Sequence, residues 1–164
     1  MATIKKPICT LGIIGIFTFI LFIGAAQAAQ PIDCLICSDM TITTILQSGD
    51  LTIMGIESKQ IVLDNTESKF FDNMTGHGVG LMKIDKGKLT GTYFNKYQDP
   101  SGDLYVVESS QVGTDGDWKC IYGTGKYQGI TAAGKFYRFT KGKPISPGTS
   151  QVCTKVTGTY ELKK

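Results

Sequence analysis

Four kinds of residue in this chain have types and spacing that could do chemistry. The first is cysteine. Cys34 and Cys37 form a C-x-x-C pair in "CLIC", and Cys120 and Cys153 follow far downstream. Such a pair can cycle between thiols and a disulfide, ligate zinc with two further thiolates, or hold a haem when His follows directly. Ser38 stands where that His would be. A thioredoxin-like site also needs a strand before the pair, and "AQPID" leaves no room for one. The second kind is the acid–base set. His77 is the only histidine and would titrate near neutral pH. Glu57 and Glu108 lie mid-strand among apolar residues. Turned inward, they would be carboxyls with raised pKa values suited to proton transfer; turned outward, solubilising charges. Alternation puts Glu108 on the face of Leu104 and Val106. The blander reading of His77 is a polar residue at a strand end, and no nucleophile motif such as G-x-S-x-G accompanies it.

The third is a lysine among glycines, in "GTGKYQGITAAGKFYRF" (Gly123–Phe139). A P-loop needs a hydroxyl after Gly-Lys, and here Tyr127 follows Lys126. A dinucleotide fingerprint needs G-x-G-x-x-G before a helix. Gly123, Gly125 and Gly129 are spaced one residue too long, and "GKFYRFT" reads as a strand. The stretch therefore reads as a corner. Its glycines allow a tight path, Tyr127 and Ile130 plug one end of a barrel, and Lys126 is a solvated surface charge. The fourth is the pair Asp99 and Asp103 in "DPSGD". It is too short for a calcium loop and suits a turn. Tyr93, Phe94, Tyr105 and Trp118 are candidates to line an apolar pocket, or simply to fill a core.

The elements that must carry these residues are strands. Runs rich in β-branched and aromatic residues cover Asp50–Asp64, His77–Asp85, Lys88–Gln98, Asp103–Val112, Asp117–Gly123, Gly134–Thr140 and Gln151–Lys163, with Thr41–Leu46 as one more. Turn chemistry joins them: "DKGK", "DPSGD", "GTDGD" and the longer "TKGKPISPGTS". Glycines inside the runs (Gly78, Gly80, Gly91, Gly158) suit the bulges and bends of a curled sheet. The expected fold is all-β, an eight-stranded antiparallel barrel favoured over a sandwich.

The N-terminus reads as a secretory signal. Lys5 and Lys6 precede an apolar run from Ile8 to about Ala26, and Ala26-Gln27-Ala28 supplies the small residues a signal peptidase reads. The expected organisation is a signal-peptide helix over residues 1–28, cleavage between Ala28 and Ala29, and one barrel domain over 29–164. An uncleaved anchor is the alternative, and would be the only membrane contact. Without Lys5 and Lys6 the net charge falls from +3 to +1, which argues against a nucleic-acid binder. In an exported chain the four remaining cysteines, Cys34, Cys37, Cys120 and Cys153, point to structural disulfides over zinc or redox work. At least one should tie the N-terminal segment to the domain. The chain thus implies no metal and no cofactor. "NMT" (Asn73–Thr75) is a formal glycosylation sequon that a bacterial source would leave unused.

The segment "W-x-C-x-x-G-T-G-K-Y-Q-G-I-T" followed by "G-K-F-Y" resembles one common in small secreted bacterial β-barrels. More distantly it is similar to the "GGxGxFxGxxG" segment of the allene oxide cyclase and dirigent-like barrels. "GTYFNKYQDPSGDLYVVE" before it and "TGTYEL" at the end extend the resemblance over roughly Thr75 to Leu162. The resemblance implies an eight-stranded, calycin-like antiparallel barrel, of a kind that often dimerises or trimerises. It transfers no catalytic residue. The expected function is a periplasmic or secreted barrel of a Gram-negative bacterium, non-enzymatic, binding a small apolar ligand or a protein partner. The alternative is a cyclase- or isomerase-type enzyme.

Overall fold

The computed structural model describes residues 28–140 and 143–163; the expected signal segment lies outside them except for its last residue, Ala28. The chain forms eight strands: β1 (Gln30–Ser48), β2 (Leu51–Asp64), β3 (Met74–Asp85), β4 (Lys88–Gln98), β5 (Leu104–Val112), β6 (Asp115–Gly123), β7 (Ile130–Arg138) and β8 (Thr149–Leu162). Each pairs antiparallel with the next, and β1 returns to pair with β8, closing the barrel. The architecture is the one expected.

The largest departure is at β1. It starts at Gln30 and runs for 19 residues, where the sequence suggested only Thr41–Leu46. Pro31, Asp33 and Asp39 make this stretch read as a loop. Yet Ile32, Cys34, Ile36, Ser38, Met40 and Ile42 alternate onto the inner face, and pairing with β8 begins at Gln30↔Tyr160. A proline is tolerated at a strand's start. The N-terminal segment is thus a full stave of the barrel.

Cys34 and Cys37 are three residues apart, so a strand turns them to opposite faces. Cys37 points out and bonds Cys153, its register partner on β8. Cys34 points in and is a free thiol, as is Cys120. The expectation of disulfides at all four cysteines is therefore corrected to one bond, which does tie the N-terminal segment down. With Cys37 and Cys153 joined, no four-thiolate zinc site is left.

At the β3–β4 hairpin, Lys86 and Gly87 have φ of 51° and 77°, the positive values a two-residue turn needs to match strand twist. The outer wall carries mid-strand charges, including the Glu57–His77 and Glu108–Lys119 pairs. The inner wall is mainly apolar.

One strand decides how much room is left inside. β3 turns three glycines inward. A Cβ on Gly76 would sit 2.7 Å from the Tyr97 ring, on Gly78 2.2 Å from Asn95 Oδ1, and on Gly80 2.4 Å from the Tyr93 ring. The β4 side chains thus lie flat against bare backbone instead of projecting across the axis.

Candidate binding cavity

One end of the barrel is sealed by aromatic rings. The β2–β3 loop folds beneath it and inserts Phe70 and Phe71. Phe70 stacks on Tyr160 at 4.8 Å, and Phe71 meets Tyr105 edge-on at 5.5 Å. Tyr127 is fully buried between them, and its hydroxyl donates to the Phe70 carbonyl at 3.2 Å. Asp64, 2 % exposed, holds the loop by accepting the Thr66 and Phe71 amides at 2.8 and 3.0 Å.

Tyr127 comes from the glycine-rich corner. Gly123 is needed there because a Cβ would lie 2.1 Å from the Tyr127 carbonyl, and Gly125 because its φ is +52° and Asp103 fills the space beside it. Tyr127 plugs the barrel as expected, while Ile130 opens β7 beside the same core. Lys126 goes beyond the expectation. The side chain is exposed, as a surface charge should be, but it is also engaged: Nζ lies 2.7 Å from Asp99 Oδ2 and 5.3 and 5.0 Å from the Phe70 and Tyr127 ring centres. Burial pushes the Asp99 carboxyl up, but hydrogen bonds from Lys126 and Ser101 outweigh it and bring it down to about 2. Asp99 Oδ1 accepts the Ser101 and Asp103 amides, and Asp103 Oδ2 accepts the Lys126 amide. Both aspartates thus build turns.

Above the plug lies a cavity of about 270 Å³, just under the usual size range of small-molecule pockets, about 300–1,000 Å³. Ile32, Ile36, Val62, Val107 and Val156 form its apolar wall, with Tyr93, Tyr97, Tyr105 and Trp118 as its aromatic faces. Cys34 also lines it. Burial, with Asp64 and Asp33 nearby, pushes that thiol up to about 12, so it stays protonated and unreactive at neutral pH. Halfway up runs a polar band. Gln60 Nε2 donates to Ser58 Oγ at 2.8 Å and to Asn95 Oδ1 at 3.0 Å, and Asn95 Nδ2 donates to Ser109 Oγ at 3.4 Å. Gln60 Oε1 is buried and accepts no hydrogen bond. Nearer the open end, the Tyr93 hydroxyl donates to Gln111 Oε1 at 2.8 Å. Exposed Thr114 and half-buried Arg138 and Ser150 line the mouth.

Of the expected pocket residues, Tyr93, Tyr105 and Trp118 line the cavity. Phe94 does not; it follows Tyr93 directly and therefore faces out, 44 % exposed. The acid–base candidates also lie on the outer wall. His77 Nε2 and Glu57 Oε1 pair there at 3.0 Å, and Glu108 Oε2 meets Lys119 at 2.9 Å. Glu108 does share a face with Leu104 and Val106, but that face is the outside; Tyr105, Val107, Ser109 and Gln111 point in. The polar band, Phe71 and Arg138 escaped the sequence reading. Phe70–Phe71, an aromatic pair inside a polar loop, was the signal that could have added the loop's share of the plug to Tyr127.

No family model matches the sequence, and no curated protein matches it. Among solved structures, the fold is similar to two pterocarpan synthase dirigent proteins. PsPTS1 aligns with a TM-score of 0.52 at 9% identity over 85% of this chain and 98% of its own. GePTS1 aligns at 0.50 and 10% over 83% and 87%. The fold is therefore a dirigent-like barrel. At such identity the likeness concerns backbone architecture alone.

Proposed function

We propose that this chain is an exported binding barrel that holds one small, mainly apolar molecule in its interior and does no covalent chemistry on it. The observation that carries this is the cavity. An eight-stranded barrel can be filled by its own side chains; here inward glycines on β3 let the β4 rings lie flat and leave about 270 Å³. The lining offers apolar contact and a few placed polar atoms, with Gln60 Oε1 as an acceptor for a ligand hydroxyl or amide. Among the described residues it contains no carboxylate, histidine or reactive thiolate. The dirigent-like fold is compatible with binding that shapes a molecule without reacting with it. Export rests on the N-terminal signal pattern and on the disulfide, which persists in oxidising compartments. Ala28 and Ala29 are exposed and directly precede β1, so cleavage between them would spare the barrel.

Trp118, the sole tryptophan, lines the cavity and reports on it. Native mass spectrometry of protein purified from its own host should show a co-purifying small molecule. Adding that molecule back to the emptied protein should shift Trp118 emission saturably, with one site. Replacing Glu57, His77 or Glu108 by alanine should leave the titration unchanged. A cavity that takes up no apolar compound, or a host ligand recovered in chemically altered form, would defeat the proposal.

A further inference from the structure

Arg138 is the only arginine in the chain and, among the described residues, the only charged residue lining the cavity. It is the last residue of β7, one inward step above Phe136, and so stands at the mouth. The other described cations of the barrel wall face outward or are paired: Lys83 with Asp85, Lys119 with Glu108, Lys135 with Asp117, Lys155 with Asp33. Among the described residues, no carboxylate pairs with Arg138. Its charge reaches inward: burial raises the Tyr93 hydroxyl, and Arg138 pulls it part of the way back.

An unpaired guanidinium beside an apolar space is a selective feature. It has five N–H donors and no acceptor. It binds carboxylates in a fork geometry, and the attraction strengthens where water is scarce. Among the described residues, no acidic side chain in the lining offsets the charge. The neighbouring polar groups are engaged with each other: the Tyr93 hydroxyl donates to Gln111, and Gln111 Nε2 donates to the Gly113 carbonyl at 2.6 Å.

Resting on the binding proposal above, we infer that the occupant is an amphipathic carboxylate, with its apolar body in the cavity and its anionic head on Arg138 at the mouth. A neutral molecule of the same shape leaves the guanidinium without a partner, and a cationic one is repelled.

Octanoate and octanamide share shape and apolar area and differ in charge, so they separate the two ideas. Both are titrated at neutral pH against Trp118 emission, on the wild type and on Arg138→Gln, with circular dichroism confirming that the variant is folded. The wild type should bind octanoate at least tenfold more tightly than octanamide, the scale of one hydrogen bond to a charged group. Arg138→Gln should abolish that preference by weakening octanoate alone. Equal binding of the two by the wild type would overturn the carboxylate inference and leave the apolar cavity standing, and so would a preference that survives Arg138→Gln. Binding of neither probe would overturn both. Repeating the titration with 4-phenylbutanoate shows whether the carboxylate's body is aliphatic or aromatic.

Discussion

At the scale of single residues, the Asp99–Lys126 pair has a measurable signature. The Asp99 carboxyl lies at about 2, below its ordinary 3.8. A depressed acid stabilises the fold fully above its ordinary value, and this contribution is lost as pH falls from about 4 towards about 2. Asp99→Asn should therefore lower the melting temperature most at neutral pH, and the gap from wild type should close by about pH 2. Melts followed by circular dichroism across pH 2–7 check this; a gap that stays constant with pH would refute it. The cysteines give a second test. Unfolded, unreduced protein should titrate two thiols, Cys34 and Cys120, and reduction should release two more from Cys37 and Cys153. A third thiol before reduction would mean that Cys9 is retained, and so would report on cleavage of the signal segment. The sequence exposed some cavity residues and hid others for one physical reason. Tyr93, Tyr105 and Trp118 look like interior residues because they are large and apolar. Gln60, Asn95, Gln111 and Arg138 look like surface residues, and only the register of a closed sheet shows that they face in. Glu108 failed in the opposite direction. Its apolar neighbours Leu104 and Val106 suggested a core face, but a folded protein leaves many apolar residues on its outside, as Val79, Leu81 and Phe94 also show.

At the scale of elements, β3 is the strand that keeps the barrel open. Gly76→Ala would place a Cβ 2.7 Å from the Tyr97 ring. The ring must tilt towards the axis, so the variant should lose about 1–3 kcal/mol of stability and bind cavity ligands more weakly. Denaturant titration and Trp118 emission measure the two effects. If stability fell and ligand affinity did not, the link between the glycines and the open cavity would be broken. The corner after β6 has the complementary role. Tyr127→Ala removes the central ring of the plug and should cost about 3–5 kcal/mol, in the range for a buried aromatic. The strands β2 to β8 were legible because each alternates or is rich in β-branched residues between turn signals, though β7 starts at Ile130, four residues before Gly134, where the glycine-rich corner seemed to end. β1 was not, because Pro31, Asp33 and Asp39 fall on its outward positions. It becomes a strand through its pairing with β2 and, more than a hundred residues away, through its partnership with β8.

At the scale of the whole molecule, that partnership is the closing seam. It is cross-linked by Cys37–Cys153, across a sequence separation of 116. Replacing both cysteines by serine should lower stability by about 2–4 kcal/mol while the barrel still closes, because the β1–β8 ladder remains. Guanidinium unfolding of the double variant against the oxidised wild type would show it; no difference would mean that the ladder alone fixes the seam. Closure was legible only as a fold class, since nothing local in either strand names its partner. The seam also fixes a sequence of events. β1 is made first and its second neighbour last. Until β8 is present, the strand from Gln30 to Thr41 keeps an open edge and the cavity lacks its last stave. The seven other strands can pair with neighbours as they appear, through short hairpins and loops. Closing the ring must await the longest-range contact in the chain, and contacts of that kind slow folding. An unfinished barrel would therefore offer β1 to any passing strand, and the disulfide is the step that makes the finished ring hard to reopen.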